Sequence, residues 1–154
     1  MDSKIGQGTT VNVYFPVTGA ESLPAEKEKL IIKGRGRILV MDDEPSVCRL
    51  VQRMLTNLGY EVSTARNGEE AIEKYRKAKT KEEPFAAVIL DLTVKGGLGG
   101  KKTLAGLKKI DPEIRAIVSS GYSEDAVMAD YEKAGFAGVI PKPYETAALS
   151  RVLA

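Results

Sequence analysis

From Arg37 to Ala154, short unbroken apolar runs alternate with stretches whose apolar residues recur at helical spacing. The first pattern marks strands buried on both faces, the second amphipathic helices. Ile38-Leu39-Val40-Met41 is the first run and ends at Asp42-Asp43. Pro45 suits the first turn of a helix that carries Val47, Val51, Met54, Leu55 and Leu58, and Gly59 suits its stop. Tyr60 to Ala65 reads as a second strand. Asn67-Gly68-Glu69-Glu70 then reads as an N-cap with a glutamate three residues later, opening a helix through Ala71, Ile72, Tyr75 and Ala78. Ala86 to Leu90 is a third strand, with Asp91 at its end.

The glycine-rich stretch Gly96 to Gly100 leads into a third helix, from about Lys101 to Ile110. Ala116 to Ser119 predicts a fourth strand, and Ser123 to Ala134 a helix capped by Ser123 and stopped by Gly135. Gly138-Val139-Ile140 predicts a fifth strand before Pro141-Lys142-Pro143, and Glu145 to about Leu153 a short last helix. Strands alternating with helices imply right-handed βαβ crossovers and one parallel sheet.

Residues 1–35 read differently. A glycine turn at Gly6 and Gly8 precedes an alternating strand, Val11, Val13 and Phe15, stopped by Pro16. Val17 to Gly36 reads as a linker, whose Leu30-Ile31-Ile32 can pack on a neighbour. The chain therefore divides into a segment 1–35 and a domain 36–154.

Composition mainly excludes. The 154 residues are 43% hydrophobic and 29% charged, as in an ordinary globular chain. A net charge of +2, from 23 basic and 21 acidic residues, argues for neither nucleic acid nor a membrane surface. No apolar run approaches the ~18 residues of a membrane span, and Met-Asp-Ser-Lys-Ile-Gly does not open a signal peptide. The single cysteine, Cys48, reads as a half-buried helix residue in a reducing compartment. There is no histidine. A histidine triad, a histidine-ligated metal and a phosphohistidine are therefore excluded within this chain, and one cysteine excludes structural zinc.

The chemistry that is left gathers at the C-terminal strand ends, where open α/β sheets bind ligands. Asp42 and Asp43 follow the first strand, Asp91 and Thr93 the third, Ser120 and Gly121 the fourth, and Lys142 the fifth. Three carboxylates in one pocket repel each other unless a cation joins them, and a hard ion with oxygen ligands, most simply Mg²⁺, meets that need. A lysine and a hydroxyl beside it suit a phosphoryl group.

Ile-Leu-Val-Met-Asp-Asp-Glu-Pro, Val-Ile-Leu-Asp-Leu-Thr, Val-Ser-Ser-Gly-Tyr and Ile-Pro-Lys-Pro-Tyr occur in this order. With them, Arg37 to Ala154 resembles the response-regulator receiver domain of two-component signalling. The resemblance implies a flavodoxin-like (βα)5 fold of strand order 2-1-3-4-5. It implies Asp91 as phosphoacceptor, Asp43, Asp91 and the Thr93 carbonyl as Mg²⁺ ligands, and Asp42 as holder of metal-bound water. Lys142 would pair with Asp91 and then with a phosphoryl oxygen. Ser120 would be the switch hydroxyl, and the Thr93 and Gly121 amides would complete the cradle. The partners implied are a kinase or phosphotransfer domain bearing phosphohistidine and, downstream, a further phosphotransfer protein, with no nucleic acid and no membrane contact. The compartment implied is the cytoplasm, whether or not the parent protein is anchored in a membrane.

Three positions depart from the family pattern. Many receivers have proline four residues after the acceptor, where this chain has Lys95. The usual aromatic switch position is Val139, with Tyr144 or Tyr122 as substitutes. Tyr122, two residues after Ser120, would cover the acyl phosphate and slow its hydrolysis. In the first segment, Gly6-x-Gly8-Thr9-x-Val11 resembles the last glycine box and strand of a histidine-kinase ATP-binding domain, which implies the C-terminal part of a hybrid sensor kinase. Two other classes share the topology. An aspartyl-phosphate phosphohydrolase wants an aspartate two residues after its nucleophile, where Thr93 stands. A flavodoxin-like flavin binder has no specific support in the sequence.

Overall fold

The computed structural model describes residues 2–14, 31–121 and 126–154. The expectations for Phe15, Pro16, most of the linker, Tyr122 and the Ser123 cap lie outside the described residues.

Near the N-terminus, β1 (Asp2–Lys4) and β2 (Gly8–Thr10) form an antiparallel hairpin. This corrects the expected strand at Val11. The glycines at positions 6 and 8 fold the chain back on itself, so the paired residues flank the turn. Val11 to Tyr14 have no regular structure, and alternation without a sheet to bury it leaves Val11, Val13 and Tyr14 exposed.

The remaining elements are β3 (Arg37–Met41), α1 (Pro45–Asn57), β4 (Glu61–Ala65), α2 (Gly68–Thr80), β5 (Phe85–Asp91), α3 (Gly100–Lys108), β6 (Ala116–Ser120), α4 (Ala126–Ala129), β7 (Gly138–Pro141) and α5 (Thr146–Leu153). The strands make one parallel sheet of order β4-β3-β5-β6-β7, which is 2-1-3-4-5 in the domain's own count. The α/β fold expected from the sequence is the fold observed. The fourth helix departs from expectation at its end: among the described residues it covers Ala126–Ala129, and turns follow it to Gly135.

Successive strand residues face opposite ways, so the sheet divides its apolar residues between two cores. Leu39, Met41, Val88, Leu90 and Val118 pack on the side of α2 and α3, with Leu104, Leu107 and Phe136. Ile38, Val40, Ile89, Ile117 and Ile140 pack on the other side, with Val51 and Leu55 of α1 and Leu149 and Leu153 of α5. Sheet residues covered on both faces carry no polar side chain until the strand ends, and there the carboxylates begin.

Capping follows the sequence closely. Asn67 Oδ1 accepts from the Glu70 amide at 2.9 Å, while Glu70 Oε2 accepts from the Arg66 amide at 2.8 Å. Residues 31–36 pack on the domain. Ser150 Oγ accepts from the Ile32 amide at 2.7 Å and donates to the Ile32 carbonyl at 2.9 Å. The Gly34 amide donates to the Leu58 carbonyl at 2.8 Å. Gly59, at φ +98°, faces the Gly34 carbonyl, and a Cβ there would stand 2.5 Å from that oxygen. Ile31 and Ile32 keep about half of their surface exposed (55% and 49%), so it is the backbone of this strap that is held.

Candidate functional site

The strand order reverses between β3 and β5, because the chain first adds β4 on one side of β3 and then crosses to the other. That reversal opens a crevice at the C-terminal edge of the sheet. Asp42 and Asp43 follow β3 and Asp91 ends β5, so both walls of the crevice carry acids. One carboxylate oxygen from each of the three lies within 4.8 Å of the others. Asp42 and Asp91 are buried, and Asp43 is partly exposed.

Lys142, just past β7, spans the pit. Its Nζ lies 2.6 Å from Asp42 Oδ2 and 3.0 Å from Asp91 Oδ1. The family resemblance implies the Asp91 contact; the shorter one, to Asp42, is not part of what it implies. Asp42 Oδ1 also accepts from the Glu44 amide at 2.9 Å. Burial pulls the lysine pKa down, but the hydrogen bonds to Asp42 and Asp91 outweigh it and hold Lys142 above its ordinary range. Asp91 moves upward as well. Burial is the largest cause, and the charges of Asp42 and Asp43 add to it against the opposing pull of Lys142. One pair thus carries two senses: the lysine gains by its neighbours, while the carboxylate is held in a place that disfavours its charge.

Ser120 is the last residue of β6 and is buried. Its carbonyl accepts from the Lys142 amide at 2.9 Å, tying the serine strand to the lysine loop. Thr93 and Gly121 sit on the loops leaving β5 and β6, at the same edge. The Leu92 amide donates to the Ser119 carbonyl at 2.8 Å, which closes β5 against β6 just beyond Asp91. All the expected positions therefore lie on one sheet edge, and Asp42, Asp43, Asp91 and Lys142 form its charged center.

One departure from the family pattern, Val139, and the aromatic offered in its place, Tyr144, acquire surroundings. Val139 is half-buried, on β7. Tyr144 is buried, and burial pushes its phenol up to about 12. Ser119 opposes that rise, although Ser119 Oγ is buried without a hydrogen bond of normal geometry. Cys48 is more buried than the sequence suggested. Its thiol donates to the Asp42 carbonyl at 3.3 Å, and burial first, then Asp42, raises its pKa, so it is held as a thiol.

The loop from β5 to α3 supplies a contact that sequence reasoning missed. The Lys95 amide donates to Asp43 Oδ2 at 3.2 Å. The signal was available in the residue type, since any residue but proline at this position brings an N–H.

The donor set fits a hard divalent cation: three carboxylates, all oxygen, converging from two strand ends. No histidine or second cysteine competes for a softer ion. Among the described residues, no helix is long and apolar enough to cross a membrane.

Comparison with known proteins agrees with this geometry. The sensor kinase CckA of Brucella abortus is 31% identical over 153 residues, covering 93% of this chain and 16% of the kinase. The chemotaxis protein CheY of Thermotoga maritima is 33% identical over 110 residues, covering 71% of this chain and 87% of CheY. Among solved structures, a Burkholderia pseudomallei response regulator with a phosphorylated aspartic acid, calcium ion and citrate superimposes with a TM-score of 0.66 at 26% identity. That match covers 77% of this chain and 66% of the regulator. This chain thus spans a small part of the sensor kinase and most of CheY. The family model described as the response regulator receiver domain matches residues 38–154, and the chain belongs to that family, the receiver modules of two-component signalling.

Proposed function

We propose that this chain is a phospho-accepting switch in which Asp91 takes a phosphoryl group from a phosphohistidine on a partner kinase or phosphotransfer domain. The observation that carries the reading is the pit itself. Asp91 is buried, bonded to Lys142 and surrounded by two further acids at the crevice where the strand order reverses.

An Asp91 oxygen attacks phosphorus in line, an O–P bond forms and the P–N bond to the imidazole breaks. Lys142 is placed to follow the charge from carboxylate to phosphoryl oxygen. The amides of Thr93 and Gly121 offer donors to the other oxygens, and the Ser120 hydroxyl moves toward the new group. Asp43, the Asp91 carboxylate and the Thr93 carbonyl would hold Mg²⁺, with Asp42 fixing its water. Bound there, Mg²⁺ supplies positive charge against the oxygens of the transferred group.

The parent protein fits a hybrid sensor kinase. Residues 38–154 are about three quarters of the chain, so an alignment with CckA covering 93% of it runs into the residues before the receiver. That supports reading 1–35 as the end of a kinase ATP-binding domain and 36–154 as the receiver. A downstream phosphotransfer protein would then take the group onward, and the cytoplasm is the compartment that suits such a relay. A phosphohydrolase is less well supported, because Thr93 stands where that class needs an acid.

Incubation with acetyl phosphate or phosphoramidate and Mg²⁺, followed by intact mass, tests the proposal. The wild type gains one phosphoryl group and Asp91→Asn gains none. Equal labelling of both would overturn the assignment.

A further inference from the structure

Of the three acids, Asp43 is held differently. Lys142 grips Asp42 and Asp91, and Asp42 has the Glu44 amide besides. The contact on the Asp43 carboxylate comes from the loop between β5 and α3, through the Lys95 amide on Oδ2 at 3.2 Å.

That loop is pinned at its far end. The Gly68 amide donates to the Leu98 carbonyl at 3.1 Å, and the Leu98 amide donates to Glu69 Oε2 at 3.3 Å. Thr103 Oγ1 lies 3.2 Å from the Leu98 carbonyl and 3.0 Å from that of Gly99. Gly99 lies so close beneath Leu92 that a Cβ would stand 2.5 Å from the Leu92 carbonyl oxygen. Fastened to the start of α2, the loop brings one amide to Asp43 from a fixed direction.

We propose that the backbone N–H of Lys95 is a positioning group for the divalent-ion site, holding the Asp43 carboxylate in the orientation that the ion needs. A carboxylate has lone pairs enough to accept this amide and still ligate. Carboxylate ligands fixed by an outer hydrogen bond are oriented before the ion arrives, and losing such a bond costs about tenfold or more in affinity. The role belongs to the main chain. The Lys95 side chain is exposed, and any residue with an N–H would serve equally well.

The inference rests on the ion site proposed above, and the experiment separates the two. Mg²⁺ affinity is measured by calorimetry on metal-free protein for the wild type, Asp43→Asn, Lys95→Ala, Lys95→Pro and a semisynthetic protein with the α-hydroxy analogue of lysine at position 95. The last replaces the N–H by an ester oxygen and imposes no proline ring. Circular dichroism in metal-free buffer checks that each protein is folded. Lys95→Ala keeps wild-type affinity, while Lys95→Pro and the ester bind about tenfold more weakly. In the wild type and Lys95→Ala, Mg²⁺ also slows hydrogen exchange at the residue-95 amide. Wild-type affinity in the ester protein, or an equal loss in Lys95→Ala, overturns the role of the N–H. No Mg²⁺ binding by the wild type, or no weakening in Asp43→Asn, would instead overturn the ion site itself.

Discussion

Of the carboxylates that pair with a lysine, Asp91 and Asp111 have proton affinities that move in opposite directions. Asp91 lies in the pit at the sheet edge, 3.0 Å from Lys142, and burial together with Asp42 and Asp43 raises its pKa. Asp111 lies at the rim between α2 and the loop after α3, 3.3 Å from Lys79. Its pKa is lowered, chiefly by the Tyr75 hydroxyl, which donates to Oδ2 at 2.9 Å. The difference is in the company each keeps. Asp111 has three donors, the Tyr75 hydroxyl, Lys79 and the Glu113 amide, and shares them with no second carboxylate among the described residues, so its charge supports the fold. Asp91 shares one lysine with another acid in a buried place, so its charge is held at a cost to the fold. A carboxylate kept ionised where the fold disfavours it is available to a cation or an electrophile.

Removing the shared cation should have the largest effect. Lys142→Met leaves Asp42 and Asp91 buried with no lysine between them. A loss of about 2 kcal/mol is expected in metal-free buffer, the cost of stranding buried polar groups. Because an ion among the three acids can take over the lysine's charge, millimolar Mg²⁺ should restore most of that loss. Urea unfolding with and without Mg²⁺ checks this. A deficit that Mg²⁺ leaves untouched would mean that the lysine matters to stability for another reason, such as its packing.

Neutralising each acid in turn should give shifts of opposite sign. A raised pKa means that ionised Asp91 subtracts stability once pH passes its folded value. Asp91→Asn should therefore raise Tm by a few degrees at neutral pH and change little below the carboxylate range. A lowered pKa means that ionised Asp111 adds stability above the ordinary carboxylate range, and that this is lost as pH falls through the folded value. Asp111→Asn should lower Tm at neutral pH, with the deficit closing in acid. Thermal melts at pH 7 and in acid compare the two. Shifts of the same sign at pH 7 would erase the distinction between a charge that supports the fold and one held for chemistry.

The sheet was legible because strands covered on both faces must be apolar throughout, and Ile38 to Met41 and Ala87 to Leu90 admit no other placement. The acids stood out for the same reason, as the first polar side chains after such runs. What was not legible depends on how chain segments distant in sequence meet. Nothing local to Lys142 shows that Asp42 is nearer than Asp91, since the β3-to-β7 distance depends on how four intervening crossovers pack. The Lys95 contact is made by a backbone group, which residue type marks only through the absence of proline. The strap at 31–36 reads as linker because glycines are frequent there, whereas Gly34 is glycine because a Cβ there would run into the Tyr60 side chain. Val11 to Tyr14 misled in the opposite way. Alternation is a necessary mark of a half-buried strand, but it needs a partner to pair with, and among the described residues there is none.

The smallest expected effect tests the rim carboxylate through its donor. Tyr75 stacks on Phe85 with ring centroids 5.9 Å apart, so Tyr75→Phe preserves the packing and removes only the O–H. Burial first, then Asp111, raises the phenol pKa, so the hydroxyl remains a donor throughout the working range. A hydrogen bond to a charged acceptor at a partly wet rim is worth about 0.5 kcal/mol net, and the loss should be fully present at neutral pH. As pH falls through the lowered pKa of Asp111, the acceptor gains its own proton and the difference from wild type should shrink toward zero. Urea unfolding at several pH values reads this directly, with an unchanged m-value showing that only the native state is affected. An equal deficit at neutral and acid pH would place the effect in the ring packing. Asp111 would then owe its low pKa to Lys79, and the rim pair would be a lysine–carboxylate contact of the same kind as Lys142–Asp91, differing only in exposure.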